Sequence, residues 1–469
     1  PVPHPGHDSV LCFSHPKVRE FYREVIANFF TEFPEIDSFH YLTTDADGEF
    51  CDPELCPRCR GLSKLDQRDR LSRFLSDVME KARPGIKIFN TAFDWERNKF
   101  GVWQMLIRQA AMPQDVGLCM AGCTDPATYE RQSHEAIREA RRVTWKSGQM
   151  LIGREAFHRF ENLRVCRDHF ISDYPFGVVA KVRRWADLKA DGFFDVRGRF
   201  FASDFFLNSL VCREAILDPH LDAERLSGKF AREFFEFAGD EVLEAWKLIE
   251  RGDRITSNAF TFPSASYLTQ YLGWFWGTHV PPLPDAGKFI AQPEDLNEVT
   301  PYAALGYVYH DGNFQEQEHN SGTGMLNSLE YYRKACQKLQ EAILKVRKRE
   351  SPPACRVFMG KDYVWDPQKQ LKAVKDYYEL MCYATECTGS YHVLHSLYHT
   401  LKNAGKENKY GRQGKPYLKQ YADSLEQLDL FCELMYAEKM IVNHKYGTYT
   451  NNGEKLACVS AVRNFLDKL

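Results

Sequence analysis

From Val10 to about Val196 short apolar strands and amphipathic helices alternate, one unit after another, and this pattern admits few folds. Strands are expected at Val10–Phe13, from Phe39 onward, and at Ile86–Asn90, Val116–Met120, Met150–Gly153 and Gly192–Val196. Helices are expected at Lys17–Glu32, Asp66–Ala82, Phe100–Ala111, Thr128–Ser147 and Val178–Ala190. In the first of these, Val18, Phe21, Tyr22, Val25, Ile26 and Phe29 fall on one face, as burial of one side demands. Strands that alternate with helices imply a parallel sheet, and an unbroken series of such units implies a barrel over a doubly wound sheet. The spacing thus predicts the α/β class and a partial TIM-type (β/α) barrel. Six strands are two short of the eight a closed barrel uses. The missing pair is expected before Val10, leaving a barrel that is open or closed by atypical strands.

Beyond Arg199 the alternation gives way to an all-α C-terminal region. The expected organisation is a barrel portion over 1–200, a helical extension over 201–284, an irregular linker over 285–320 and a helical bundle over 321–469. Four long helices are expected in that last part, and their apolar faces need partners, so a bundle follows. The same bundle is where an oligomer would form.

Composition removes several classes of function. Of 469 residues, 44% are hydrophobic and 14% aromatic, enough for sizeable cores. Lysine plus arginine (61) nearly balance aspartate plus glutamate (64), and no long basic run could track a phosphate backbone, which argues against nucleic acid as a partner. No apolar run approaches the roughly 20 residues that span a bilayer, which argues against a membrane partner. The fourteen cysteines are scattered through expected helices and strands rather than spaced as a disulfide framework. That leans towards a reducing, cytoplasmic setting. The chain starts without Met, so a longer precursor with a signal for secretion or the periplasm is the alternative.

The chemistry concentrates in FHYLTTDADGEFCDPELCPRCR, residues 39–60. An apolar strand runs out into Asp45, Asp47 and Glu49, which share one side of the chain if the extended path continues. Three close carboxylates need a ligand, a proton or solvent between them, so this is either an acid/base site or a solvated loop. Hydrolysis of a glycosidic bond uses such a pair, one carboxyl as acid and the other as base, nucleophile or electrostatic partner. Other strands also end in polar residues: Asp94 with Trp95, Asp125, then Arg154, Glu155 and His158, and finally Asp195. Barrels keep their chemistry at those ends. Arg154 could clamp a carboxylate, His158 could bond a hydroxyl and Trp95 could stack on a sugar ring. Core packing is the better expectation for Trp103, Trp145 and Trp185.

Cys51, Cys56 and Cys59 form C-x4-C-x2-C, which can hold a structural zinc if a fourth ligand arrives through the fold from Cys12, Cys119, Cys123 or a histidine. A loop disulfide or three free thiols are the other readings. No cofactor is required for the chemistry.

The runs FSHPKVREFYREVI, FHYLTTDADGEFC and CPRCRG, together with Trp185–Phe235, resemble glycoside hydrolase barrels: α-glucuronidases, β-N-acetylhexosaminidases and an uncharacterised bacterial domain family kin to them. The likeness covers roughly the first 280 residues. In the last family the corresponding loop has an Asp-Gly step followed by close cysteines, matched by Asp47, Gly48, Cys51, Cys56 and Cys59. Hexosaminidases carry adjacent Asp-Glu here, whereas Gly48 separates Asp47 from Glu49, which argues against substrate-assisted chemistry. The α-glucuronidase likeness implies Glu49 as acid and Asp94, Asp125 or Glu155 as base. The expected function is hydrolysis of O-glycosidic bonds in oligo- or polysaccharides containing uronic acids or amino sugars, with Asp47 steadying the substrate and Glu49 protonating the leaving oxygen. The competing class is a non-catalytic carbohydrate-binding or scaffolding protein on the same barrel.

Overall fold

Among the described residues, five helices, each followed by a strand, build a parallel sheet. A computed structural model describes residues 2–4, 7–42, 50–51, 54–91, 99–121, 129–155, 175–195, 206–259, 283, 314–346, 366–437 and 452–469. The helices are α1 (Pro16–Glu32), α2 (Lys64–Ala82), α3 (Lys99–Gln109), α4 (Tyr129–Ser147) and α5 (Pro175–Asp187). They alternate with β3 (Ser38–Leu42), β4 (Lys87–Thr91), β5 (Val116–Ala121), β6 (Leu151–Glu155) and β7 (Gly192–Asp195), while β1 (Val2–His4) and β2 (His7–Val10) precede them. Chain reversals fall where glycine can take a positive φ: Gly85 (80°) leads into β4 and Gly148 (69°) closes α4.

The five strands pair in parallel in the order β3-β4-β5-β6-β7. Strand order that follows chain order, without reversal, is that of a barrel wall; a doubly wound sheet switches direction partway. The sheet is curled into about half a barrel, so a partial α/β barrel followed by a helical region is the architecture. One expected strand is corrected. Val10–Phe13 does not join the parallel sheet; β2 ends at Val10 and pairs antiparallel with β1. The chain then turns, with the His15 N–H donating to the Cys12 carbonyl at 2.8 Å, and Cys12 itself is drawn into a cysteine cluster. A four-residue apolar run carries too little periodicity to reveal this, although Pro5-Gly6 between the two hairpin strands is a turn signal.

Two apolar clusters hold the sheet to its helices. Ile26, Phe30, Leu71, Phe74, Tyr41 and Ile88 pack α1 and α2 on β3 and β4. Met105, Leu106, Ile137, Leu118, Leu151 and Trp185 pack α3, α4 and the end of α5 on β5 and β6. Between them lies a buried polar network. Arg68 donates from Nη2 to Gln109 Oε1 (2.6 Å), and Gln109 Nε2 donates to the Val116 carbonyl (2.9 Å). Gln149 Nε2 donates to the carbonyls of Gln109 and Met112. Buried polar groups of this kind are costly unless bonded, so the network fixes how α2 and α3 meet the start of β5.

The chain divides into two compact units, Pro1–Cys123 with Glu130–Glu155 and Arg184–Asp195, and the remainder. In the second unit α6 (Phe206–Leu217), α7 (Ala223–Phe235), α8 (Gly239–Ala259), α9 (Phe314–Lys345), α10 (Pro367–Asn403), α11 (Tyr410–Ala437) and α12 (Asn452–Asp467) pack mainly as sequence neighbours. The helix α9 begins at Phe314, inside the stretch expected to be irregular. Further along α9, a Cβ on Gly322 would stand 2.7 Å from the Gly389 carbonyl oxygen, and one on Gly389 would stand 3.0 Å from that of Gly322. The α9 and α10 backbones therefore cross in direct contact at these two glycines, both within the region expected to form the bundle.

Candidate metal centre and strand-end site

Cys12, Cys51, Cys56 and Cys59 form one buried cluster in which the four sulfurs lie within 4.8 Å of one another. Cys12 Sγ is 3.6 Å from both Cys56 Sγ and Cys59 Sγ, though it stands 44 and 47 positions away in sequence. One segment delivers Cys12 and a second delivers Cys56 and Cys59, with Cys51 standing five positions before the second. The first is the turn before α1, held by Arg19 Nε donating to the Phe13 carbonyl at 3.0 Å. The second is a tight knuckle, Cys56-Pro57-Arg58-Cys59, closed by the Cys59 N–H on the Cys56 carbonyl (3.0 Å) and continued by the Leu62 N–H on the Cys59 carbonyl (2.9 Å). Gln67 of α2 donates to the Cys51 carbonyl at 3.0 Å and ties that cysteine to the helix.

The knuckle has an electrostatic effect on the thiol it surrounds. Burial pushes the Cys56 thiol up, but backbone N–H groups of Arg58 and Cys59 and the neighbouring thiols of Cys12 and Cys59 bond its sulfur and bring it below the usual thiol range. Cys51 and Cys59 do not share the relief. Burial, with Cys12 alongside, drives Cys51 up, and burial is the main cause that raises Cys59 to about 11. Ser14 Oγ lies 3.5 Å from Cys59 Sγ. Of the fourth ligands the sequence left open, Cys12 is the one that arrives. Cys119 lies buried in β5 and is not among the four, while Cys123 falls outside the described residues. Ser14 and the C-P-x-C backbone donors were missed, although a proline at the second knuckle position is a signal for that turn.

At the carboxyl ends of the parallel strands, Glu155 closes β6 and Asp195 closes β7, and the two are register partners on neighbouring strands. Adjacent strands lie about 4.8 Å apart, so the backbone sets two carboxylate-bearing positions side by side at that edge. Arg154 stands one residue earlier, paired in register with Ala121 and Phe194. Asp45, Asp47, Glu49, Asp94, Trp95, Asp125 and His158 lie outside the described residues. Of the tryptophans, Trp185 is core as expected. Trp103, 37% exposed, and Trp145 are not: Trp145 is 72% exposed, with the Arg141 guanidinium 4.8 Å from its ring centroid. It sits at the end of α4, just before β6 begins, so it belongs to the sheet edge opposite the strand ends.

No family model matches the sequence, and no curated protein matches it. Solved structures do. One is a GH138 enzyme targeting pectin rhamnogalacturonan II, which superposes with a TM-score of 0.55 over 89% of this chain at 10% identity. The chain spans about half of that enzyme, 47% of its length, and at this identity the likeness is one of fold: a glycoside hydrolase-like partial barrel with a helical region.

Proposed function

We propose that this chain is the working part of a glycoside hydrolase that cleaves O-glycosidic bonds of oligo- or polysaccharides containing uronic acids or amino sugars by carboxylate acid/base catalysis. The observation that carries the reading is the parallel ladder whose last two strands end together on Glu155 and Asp195. A glycosidase needs two carboxyl groups across one bond, and barrels present them at this edge of the sheet. The fold likeness to an enzyme that targets pectin supports a carbohydrate substrate and puts uronic-acid-bearing pectic fragments first among those to try.

The stretch of sequence after β3 would supply the remaining carboxylates. Asp47 would steady the substrate or its developing positive charge and Glu49 would protonate the leaving oxygen, with Asp45 beside them. Neighbouring negative charges hold a proton on such an acid near neutrality. Glu155 is the counterpart carboxylate, and Asp94, Trp95, Asp125, Arg154, His158 and Asp195 would contact the sugar. The test is a panel of uronic acid and amino sugar oligosaccharides. Glu49→Gln should cut turnover by roughly 10²–10⁴-fold on natural linkages and far less on activated aryl glycosides, which need little protonation. If Glu49→Gln and Asp47→Asn leave hydrolysis unchanged while Glu155→Gln or Asp195→Asn abolishes it, the chemistry belongs to the β6–β7 pair. Binding without turnover of any member of the panel would favour a carbohydrate-binding protein instead.

A further inference from the structure

We propose that Cys12, Cys51, Cys56 and Cys59 bind one zinc ion in a closed, tetrahedral, four-thiolate site. Zinc bonded to sulfur at about 2.3 Å places the corners of its tetrahedron about 3.8 Å apart. The Cys12 sulfur lies 3.6 Å from two of its partners, and all four fit within 4.8 Å. A disulfide would bring two sulfurs to about 2.05 Å and leave the other two with no reason to converge. Simple packing does not account for the arrangement either, because the thiols face one another, with Leu62 as the apolar residue packed against them.

The surroundings suit a charged centre. Binding Zn²⁺ releases the four S–H protons to solvent and leaves the site with a net charge of about −2. Arg19 and Arg70 line the small pocket shared with Cys51 and Cys59, where positive charge offsets it. Thiolate donors exclude calcium and magnesium, which take oxygen ligands. Four protein ligands leave no open position for water or substrate, so the ion is structural rather than catalytic. Its effect is on the chain at Cys51, which stands two positions after Glu49 in the sequence. The inference is independent of the hydrolase reading.

The test uses the full chain, purified without chelator from zinc-supplemented medium. Elemental analysis should find one zinc per chain, and a mercurial thiol reagent should release it as four thiols react. Cobalt(II) exchanged into the protein should show the charge-transfer absorption of tetrahedral thiolate ligation. Cys12→Ser should lose the metal or bind it at least roughly 10-fold more weakly, whereas Cys119→Ser and Cys336→Ser should retain it. If Cys12→Ser fails to fold, the metal content and cobalt spectrum of the unaltered chain decide the matter. Metal-free protein whose four thiols react freely while folded would overturn the proposal, as would a disulfide among them or iron at one per chain.

Discussion

Gly153 is where one atom decides whether β6 can seat. A Cβ there would stand 2.3 Å from the Trp185 ring, which is 1% exposed and has nowhere to go. Gly153→Ala should therefore destabilise the chain by about 1–3 kcal/mol through overpacking, read as a fall in the urea midpoint. The strand was legible from the apolar residues around Met150, but the ring that demands a glycine comes from a helix 32 positions on, which no local pattern displays. Tyr41 makes a second residue-level case. Its hydroxyl donates to Ser72 Oγ at 2.7 Å, and burial pushes its pKa up to about 12 from 10.0. The neutral phenol is the form the fold favours, so its contribution is intact below about pH 10 and is lost as pH rises through about 12. Alkaline stability should fall by on the order of 2 kcal/mol over that interval, and Tyr41→Phe should reduce the fall.

At the scale of one element, α2 shows how much of a boundary a sequence can reveal. Its expected start is Asp66; the helix begins at Lys64, capped by Ser63, whose Oγ accepts the Asp66 N–H (3.1 Å) while Asp66 accepts the Ser63 N–H (2.9 Å). The Ser-x-x-Asp spacing is a readable cap, and reading it would have placed the start. Ser63→Ala should cost about 1 kcal/mol in thermal or urea unfolding. The bonds from Ser63, then that from Arg108 (2.7 Å), lower the Asp66 pKa to about 2 from 3.8. A carboxylate held below its unfolded value stabilises the fold above about pH 4 and loses that effect as pH falls towards about 2. Acid titration of Asp66→Asn should therefore show a shallower decline in that window. Since Asp66 is partly exposed, salt should weaken the effect.

For the molecule as a whole, alternation specified the parallel sheet and the helical half well because both rest on periodicities of one segment at a time. What it did not specify was pairing. The hairpin at Val2–Val10, the helix crossing at Gly322 and Gly389, and the choice of Cys12 over Cys119 all depend on partners that no single segment displays. Gly389→Val should force α9 and α10 apart and lower stability by about 1–3 kcal/mol, read as a fall in the urea midpoint. The position of Cys12 also has a meaning in time. On a chain emerging from the ribosome it comes first and waits for Cys51, Cys56 and Cys59, and α1 and β3 are made during that wait. The proposed zinc cage can lock before any parallel neighbour of β3 exists. Parallel pairing is slow because each strand must await its crossover, so an early lock would give β4 a fixed template on which to grow. Chelator present from the start of refolding should slow the recovery of the sheet, and chelator added after β4 has paired should not.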